Sequence, residues 1–162
     1  MQAMLAEEQP IASRVSAVVA SPRDPTRGGA MAHPNEELLR QVDTALTGGE
    51  LEKAFSFFSE DVVAHIGGRS KLAGDVKGRE ELMAKFGQFM QSMGEDVALE
   101  THDIVAGDTH GFQLQTFSGK RGGKSIMLNG VGIFHFDNGK ISEAWFIDED
   151  PYKADPWYDA GL

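Results

Sequence analysis

The feature that most constrains this chain is a change in the spacing of its apolar residues near Gly94. Before Gly94, apolar side chains recur at about every third or fourth position, which predicts amphipathic helices. After Gly94 they alternate with polar residues, as in Phe112–Phe117, which predicts strands with one buried face. A helical first part followed by antiparallel strands predicts an α+β fold.

Three helices are predicted before Gly94. The first begins after His33-Pro34, where proline and the acids that follow suit a helix start, and it ends at Gly48-Gly49. The second runs from Leu51 through Phe58, and the third covers Arg79–Met93. Between them, residues 61–66 predict a short strand and residues 67–78 a glycine-rich loop.

Four strands are predicted after Gly94. A turn at Ser118–Lys124 and the sequence Asp137-Asn138-Gly139-Lys140, which is typical of a tight hairpin, separate the last three of them. The strands are Val97–Val105, Phe112–Phe117, Ser125–Phe136 and Ile141–Asp148.

The composition divides the chain into a tail, residues 1–30, and one domain, residues 31–162. The tail contains Pro10, Pro22 and Pro25 among small residues, which predicts a disordered or weakly structured segment. A short amphipathic helix near Ile11–Ala20 is the alternative. Met31 is a second candidate for the start of translation.

Charge and residue types exclude several functions. Residues 1–30 carry three acidic and three basic side chains, so the whole net charge of −10 falls on the domain. Such an acidic domain repels nucleic acid and anionic lipid, and neither is an expected partner. Cysteine is absent, which excludes disulfides and thiol catalysis. No apolar run predicts a membrane helix or a secretory leader, so we expect a cytoplasmic protein.

The sequence contains three characteristic stretches, Phe58–Ser70, His102–Asp108 and Phe134–Phe136. By these and further matching positions it resembles the SnoaL-like branch of the nuclear transport factor 2-like superfamily, the fold group of ketosteroid isomerase. The resemblance spans about residues 33–158, and it implies three N-terminal helices packed on a strongly curved, mixed or antiparallel sheet that forms a cone with an internal pocket. Members include isomerases, cyclases, hydrolases, dehydratases and proteins without a reaction, so the fold does not select a function. The matching stretches are Phe58–Ser70, Leu72–Asp75, Gly78–Glu80, His102–Asp108, Phe134–Phe136, Asn138–Ile141, Glu143, Trp145, Asp150, Tyr152 and Asp155.

The resemblance, combined with strand alternation, predicts which side chains face the pocket. On the long strand, the set that includes Gly132 and Phe134 faces inward, and the set that includes Met127 faces outward. The candidate ligand-binding residues are Val42, Ala64, Ile66, Phe86, Met90, Phe112, Leu114, Gly132, Phe134 and Phe146.

The catalytic pattern of ketosteroid isomerase is not present. That enzyme uses a carboxylate base, with a tyrosine and a protonated aspartate as the oxyanion site. The resemblance places these three positions at Ile66, Val42 and Gly132, whose side chains cannot exchange protons. Steroid isomerisation by that arrangement is therefore not expected.

His65 and Asp148 are the candidate catalytic residues. Asp148 lies in the inward register, and a carboxylate among phenylalanines would have a raised pKa. His65 alternates outward from Ile66, and a bulge at the glycines after it would be needed to turn it inward. The alternatives are a hydrogen-bonded structural histidine and a solvated carboxylate at the rim. No His, Asp or Glu cluster has metal-ligand spacing, and no cofactor is expected.

Two hypotheses for the function remain open. The first is a small-molecule pocket protein that acts as a cofactor-free isomerase, cyclase or hydrolase, using acid/base chemistry on an apolar cyclic ligand. The second is a non-catalytic ligand-binding or dimerisation module of the same fold. Either form is expected to be a homodimer, because the outer face of the sheet is apolar. Its predicted contact residues are Phe117, Met127, Val131, Ile133 and Trp145.

Overall fold

The structure is a computed structural model that describes residues 31–162. The described residues form four helices and six strands, and the predicted tail at residues 1–30 lies outside them. In chain order the elements are α1 (Pro34–Thr47), α2 (Leu51–Ser56), β1 (Phe58–Ile66), β2 (Gly74–Lys77), α3 (Arg79–Met93), β3 (Glu95–Ala106), β4 (His110–Arg121), β5 (Lys124–Asp137), β6 (Lys140–Asp148) and α4 (Pro151–Gly161).

The six strands form one open sheet in the order β2-β1-β6-β5-β4-β3. All neighbouring pairs are antiparallel except β1 with β6, which run parallel, so the sheet is mixed. The predicted α+β class is therefore confirmed, and the cone shape implied by the resemblance stays a prediction.

Two tight turns fix the registers of β4, β5 and β6. Asn138 and Gly139 both have positive φ, 50° and 73°, as a two-residue hairpin turn with the right twist requires. Gly122 and Gly123 do the same between β4 and β5, at 57° and 75°. Both strands therefore extend into the predicted Ser118–Lys124 turn, which contracts to these two glycines.

The structure differs from the prediction at one helix end and in two elements that the sequence did not indicate. The second helix ends at Ser56, and Phe58 begins β1 instead of closing a helical face. Within the predicted glycine-rich loop, Val76 is buried and pairs with Ala64, which makes β2. A fourth helix, α4, follows β6, because Asp150 caps it and Pro151 occupies its first position.

The core lies between the helices and one face of the sheet. Leu39, Val62 and Ile141 have no exposed surface in the cluster under α1 and α2. A second cluster joins α3 to α4 and includes Met93 and Tyr158. No helix within residues 31–162 has the length and apolar character needed to cross a membrane.

Candidate functional site

A cavity of about 140 Å³ lies between the helices and the inner face of the sheet. Phenylalanines and aliphatic residues form most of its wall, and five polar residues also line it. The polar lining residues are Lys85, Gln113, Gln115, Asp148 and Tyr158. The apolar lining residues include Leu46, Phe55, Phe58, Leu82, Phe89 and Phe117.

Five of the predicted ligand-binding residues line this cavity. They come from α1, β1, α3, β5 and β6, so every layer of the fold contributes one of them. These residues are Val42, Ile66, Phe86, Phe134 and Phe146.

Two other predicted residues are buried without lining the cavity. Ala64 has no exposed surface and pairs with Ala144, where the core beneath the cavity leaves no space beside it. Met90 packs in the second cluster, beside Val97 and Leu128, because it faces α4 rather than the cavity.

Phe112 and Leu114 lie on the opposite face of the sheet from the cavity. They are 43% and 49% exposed, and the cavity is lined instead by Gln113 and Gln115, which alternate with them along β4. The prediction for these two residues was wrong because strand alternation fixes the face, and here the polar set faces inward. By the same alternation Phe117, expected on the outer face, lines the cavity and packs edge-on against Phe89.

Gly130 and Gly132, the two glycines of β5 that face inward, differ in which atoms lie next to their Cα positions. A Cβ on Gly132 would be 2.7 Å from Cζ of Phe134, so the Phe134 ring already covers Gly132 and this glycine does not line the cavity. Gly130 does line it, and a Cβ there would lie 3.0 Å from the backbone oxygen of Ile147 and 3.8 Å from Oδ1 of Asp148. The inward glycine that contributes to the cavity wall is therefore Gly130.

Asp148 reaches the cavity and is held by Tyr158. The Tyr158 hydroxyl lies 3.0 Å from both carboxylate oxygens and donates to them. Burial raises the pKa of Asp148, and nearby Asp155 adds to this, while the bond from Tyr158 lowers it. Burial also raises the pKa of Tyr158, so the phenol stays protonated as a donor. Tyr158 was not among the predicted site residues, although its helical spacing from Ala154 could be seen in the sequence.

His65 lies on the outer face and does not share the cavity with Asp148. Its Nδ1 is 2.7 Å from Asp75 Oδ1, its Nε2 is 2.9 Å from Glu143 Oε1, and its ring stacks on Trp145. The bond to Glu143, and then that to Asp75, raises the pKa of His65. Strict alternation holds at Ala64–Ile66, so the bulge that would turn His65 inward is not formed. The predicted acid/base pair is not brought together.

Gln113 is the most buried polar residue of the cavity, with 3% of its surface exposed. Its Nε2 donates to Asp43 Oδ1 at 2.9 Å and to Thr101 Oγ1 at 3.1 Å. Thr101 in turn donates to the same Asp43 oxygen at 2.5 Å. Burial raises the pKa of Asp43, while the bonds from Thr101 and Gln113 lower it.

Lys85 and Gln115 complete the polar lining. Among the described residues, neither side chain has an ion-pair or hydrogen-bond partner, so both are free to meet a ligand. Over residues 31–162, no group of three or more His, Asp or Glu side chains is placed to hold a metal ion.

The fold is that of solved proteins described as nuclear transport factor 2-like. A nuclear transport factor 2-like protein of Burkholderia pseudomallei superposes with a TM-score of 0.65 and 18% identity, over 75% of this chain and 94% of that one. The family model described as SnoaL-like domain matches residues 38–144. The chain belongs to the SnoaL-like family, as the sequence predicted.

Two further solved structures are similar to this chain. Bal32a, from a soil-derived mobile gene cassette, is 27% identical with a TM-score of 0.71, over 77% of this chain and 96% of that one. TerC, co-crystallized with polyporic acid, is 15% identical with a TM-score of 0.68, over 78% of this chain and 98% of that one. No curated protein matches the sequence.

Proposed function

We propose that this protein binds an apolar, ring-bearing small molecule in the cavity between its helices and its sheet. The supporting observation is the cavity itself, whose wall is mostly phenylalanine and aliphatic side chains with few, convergent polar groups. Pockets of this composition are the usual sites for small organic ligands. TerC, whose fold is similar, was co-crystallized with the small molecule polyporic acid, which favours a small-molecule ligand here.

Naphthalene is a suitable first probe, because it is a flat apolar ring system and its fluorescence reports binding. We expect saturable binding to the wild type. Val42→Phe adds a ring at the α1 wall of the cavity and should weaken binding about tenfold or more, at an overpacking cost of about 1–3 kcal/mol. Leu46→Phe, on the same helix, is the alternative if Val42→Phe is unstable.

The matched control is Val105→Phe, the same substitution on half-exposed Val105 of β3. Its affinity for naphthalene should equal that of the wild type. No binding to the wild type, or equal loss in Val42→Phe and Val105→Phe, would contradict a ligand site in the cavity.

A second candidate function is proton transfer at Asp148, favoured by the contact of its buried carboxylate with the cavity. In this reaction the carboxylate takes a proton from the carbon beside a ring ketone, and the C–H electrons pass to the carbonyl oxygen as an enolate. The protonated Asp148 then exchanges its proton with the solvent and returns a solvent-derived proton to the carbon, while the enolate electrons reform the C–H bond and the carbonyl. Gln115, Gly130 and Asp148 are paired across three neighbouring strands, so the backbones of Gln115 and Asp148 lie about 10 Å apart with Gly130 between them. The free Gln115 amide can donate to the enolate oxygen.

Deuterium exchange at C1 of 2-tetralone, followed by NMR in D2O, tests this reaction. The wild type should accelerate exchange, and Asp148→Asn should lower the rate about 100-fold or more, the usual contribution of a general base. Glu149→Gln, the exposed neighbouring acid, is the control and should exchange as fast as the wild type. Equal exchange rates in wild type and Asp148→Asn would contradict proton transfer at Asp148. The binding function would then remain the only proposal for the cavity.

The outer face of the sheet is proposed to bind a second copy of the chain. Phe112, Leu114 and Met127 are 43%, 49% and 61% exposed on this face, and Val105 extends the patch. Ile147 is 43% exposed, but Ile147 and the predicted contact residue Val131 also line the cavity. Large exposed apolar patches usually mark an interface. Phe117 is not part of this surface.

A further inference from the structure

We infer that Gln113 determines which ring compounds the cavity accepts, by taking a hydrogen bond from a hydroxyl group of the ligand through its Oε1. This inference rests on the proposed binding function and specifies its ligand class, a ring compound with a hydroxyl at its deeply buried end. It follows from the orientation of one amide.

The orientation of the Gln113 amide is set by its two partners. The Thr101 hydroxyl donates its proton to Asp43 Oδ1 at 2.5 Å. Toward Gln113, both Asp43 Oδ1 and Thr101 Oγ1 can therefore act only as acceptors. The group that lies 2.9 Å from Asp43 and 3.1 Å from Thr101 must therefore be the donor, Nε2. Asp43 and Thr101 are positioning residues, because they act through Gln113.

The remaining polar atom of this side chain is Oε1. It accepts no hydrogen bond from the described residues, and its side chain lines the cavity while only 3% exposed. Oε1 is not one of the fully buried polar atoms that lack a partner, so it is reached from the cavity, where a ligand hydroxyl can donate to it. A ligand whose polar atoms are all acceptors would instead place one of them against Gln113 Oε1, with no proton to form a hydrogen bond.

Gln115 provides the contrast on the same strand. It lines the cavity two residues farther along, but no described residue holds its amide, so the amide can turn to donate or accept. Gln115 therefore adds polarity without choosing between donor and acceptor ligands. The preference for ligands that donate a hydrogen bond therefore depends on Gln113, whose amide is held by Asp43 and Thr101.

The test uses 2-naphthol, which has a hydroxyl donor, and 2-fluoronaphthalene, which has a similar size and no donor. We measure the ratio of their dissociation constants by fluorescence titration. Gln113→Met keeps the volume and removes the acceptor, so the preference for 2-naphthol should fall about tenfold relative to wild type. Gln88→Met, the same substitution at an exposed position of α3 outside the cavity, is the matched control and should keep the wild-type ratio.

Asp43→Ala tests the positioning role without touching the ligand, and also serves if Gln113→Met does not fold. Releasing the amide lets Nε2 turn inward, so 2-naphthol should bind more weakly while the acceptor 2-cyanonaphthalene binds more tightly. Simple structural damage would weaken both probes.

The possible outcomes distinguish the role of Gln113 from the proposed ligand-binding function of the cavity. An unchanged ratio in Gln113→Met, or weaker binding of both probes in Asp43→Ala, overturns the role of Gln113. If naphthalene still binds the wild type in that case, the proposed pocket stands. If none of the naphthalene probes binds the wild type, the proposed function and this inference both fail.

Discussion

The two faces of the sheet hold their polar residues in different ways. On the outer face, both ring nitrogens of His65 meet carboxylates, and its ring stacks on Trp145. At the cavity, which the inner face lines together with the helices, Lys85 of α3 and Gln115 of β4 have no hydrogen-bond partner among the described residues, and Gln113 has one polar atom without a partner. Polar groups that satisfy one another contribute to the fold, whereas cavity groups with unmet bonding capacity are available to a ligand.

The apolar residues show the reverse distribution. Inner phenylalanines such as Phe134 are buried and packed against each other, while outer Phe112, Leu114 and Met127 remain exposed. The difference teaches that residue type alone does not locate a site in this sheet. A candidate site is indicated instead by side chains that have no hydrogen-bonding or packing partner among the described residues.

The largest effect should come from removing an inner aromatic side chain. Phe134 is 3% exposed, and Phe134→Ala should lower the free energy of unfolding by about 3–5 kcal/mol, because the lost contacts leave a cavity. Urea denaturation measures this. Tyr152→Ala, which removes a highly exposed aromatic ring, should cost less than about 1 kcal/mol. Similar costs for the two would mean that Phe134 is not part of the packed core.

A charge on the outer face should separate the proposed dimer. Leu114→Glu places a carboxylate in the interface in both copies, so the dimer dissociation constant should rise about 100-fold or more. Sedimentation velocity measures the shift from dimer to monomer. Gln115→Glu adds the same charge at the next residue, on the cavity face, and should remain dimeric. A monomeric wild type would contradict the dimer itself.

Removing the charge of Asp148 should have a smaller effect that depends on pH. Burial holds its folded pKa above the ordinary value of 3.8, so the folded protein binds more protons than the unfolded chain just above pH 3.8. The charge of Asp148 therefore reduces stability as pH rises through that folded pKa. Asp148→Asn should have a higher melting temperature than wild type at pH 7, and this difference in melting temperature should narrow toward pH 4. A difference that widens at low pH would contradict a raised folded pKa for Asp148.

The smallest effect is expected at His65. Glu143 and Asp75 raise its pKa above 6.5, so its stabilising contribution is complete below pH 6.5 and is lost as pH rises through the higher folded pKa. His65→Gln should remove part of the decline in melting temperature on the alkaline side of pH 6.5. Parallel profiles for wild type and variant would show that the ion pairs around His65 do not contribute.

Much of the fold could be predicted because the spacing of apolar residues encodes it locally. The helix at Arg79–Met93 and the turn at Asn138-Gly139 lie where periodicity and turn chemistry place them. Strand β2 has only four residues in a glycine-rich stretch, and it exists through pairing with β1. Such pairing is decided by the tertiary structure, so the sequence pattern could not reveal it.

The cavity was only partly predictable for a related reason. The inward set on β5 and β6 followed from alternation, but on β4 hydrophobicity favoured Phe112 and Leu114 over the glutamines that line the wall. A polar residue faces inward when distant residues hold it, as Asp43 and Thr101 hold Gln113. Those contacts join positions 70 and 12 residues apart, which no local pattern records.

The parallel pairing of β1 with β6 has a consequence for how the molecule assembles. His65 pairs with Trp145, 80 positions later, whereas the β4–β5 and β5–β6 pairs are each joined by a two-residue turn. Closing a long loop costs more chain entropy than closing a short one, and such contacts form slowly. We therefore expect the antiparallel strands to fold first and β1 to dock last. The wall that brings Ile66 beside Phe146 would then form in the final kinetic step, so early folding intermediates would lack a complete cavity.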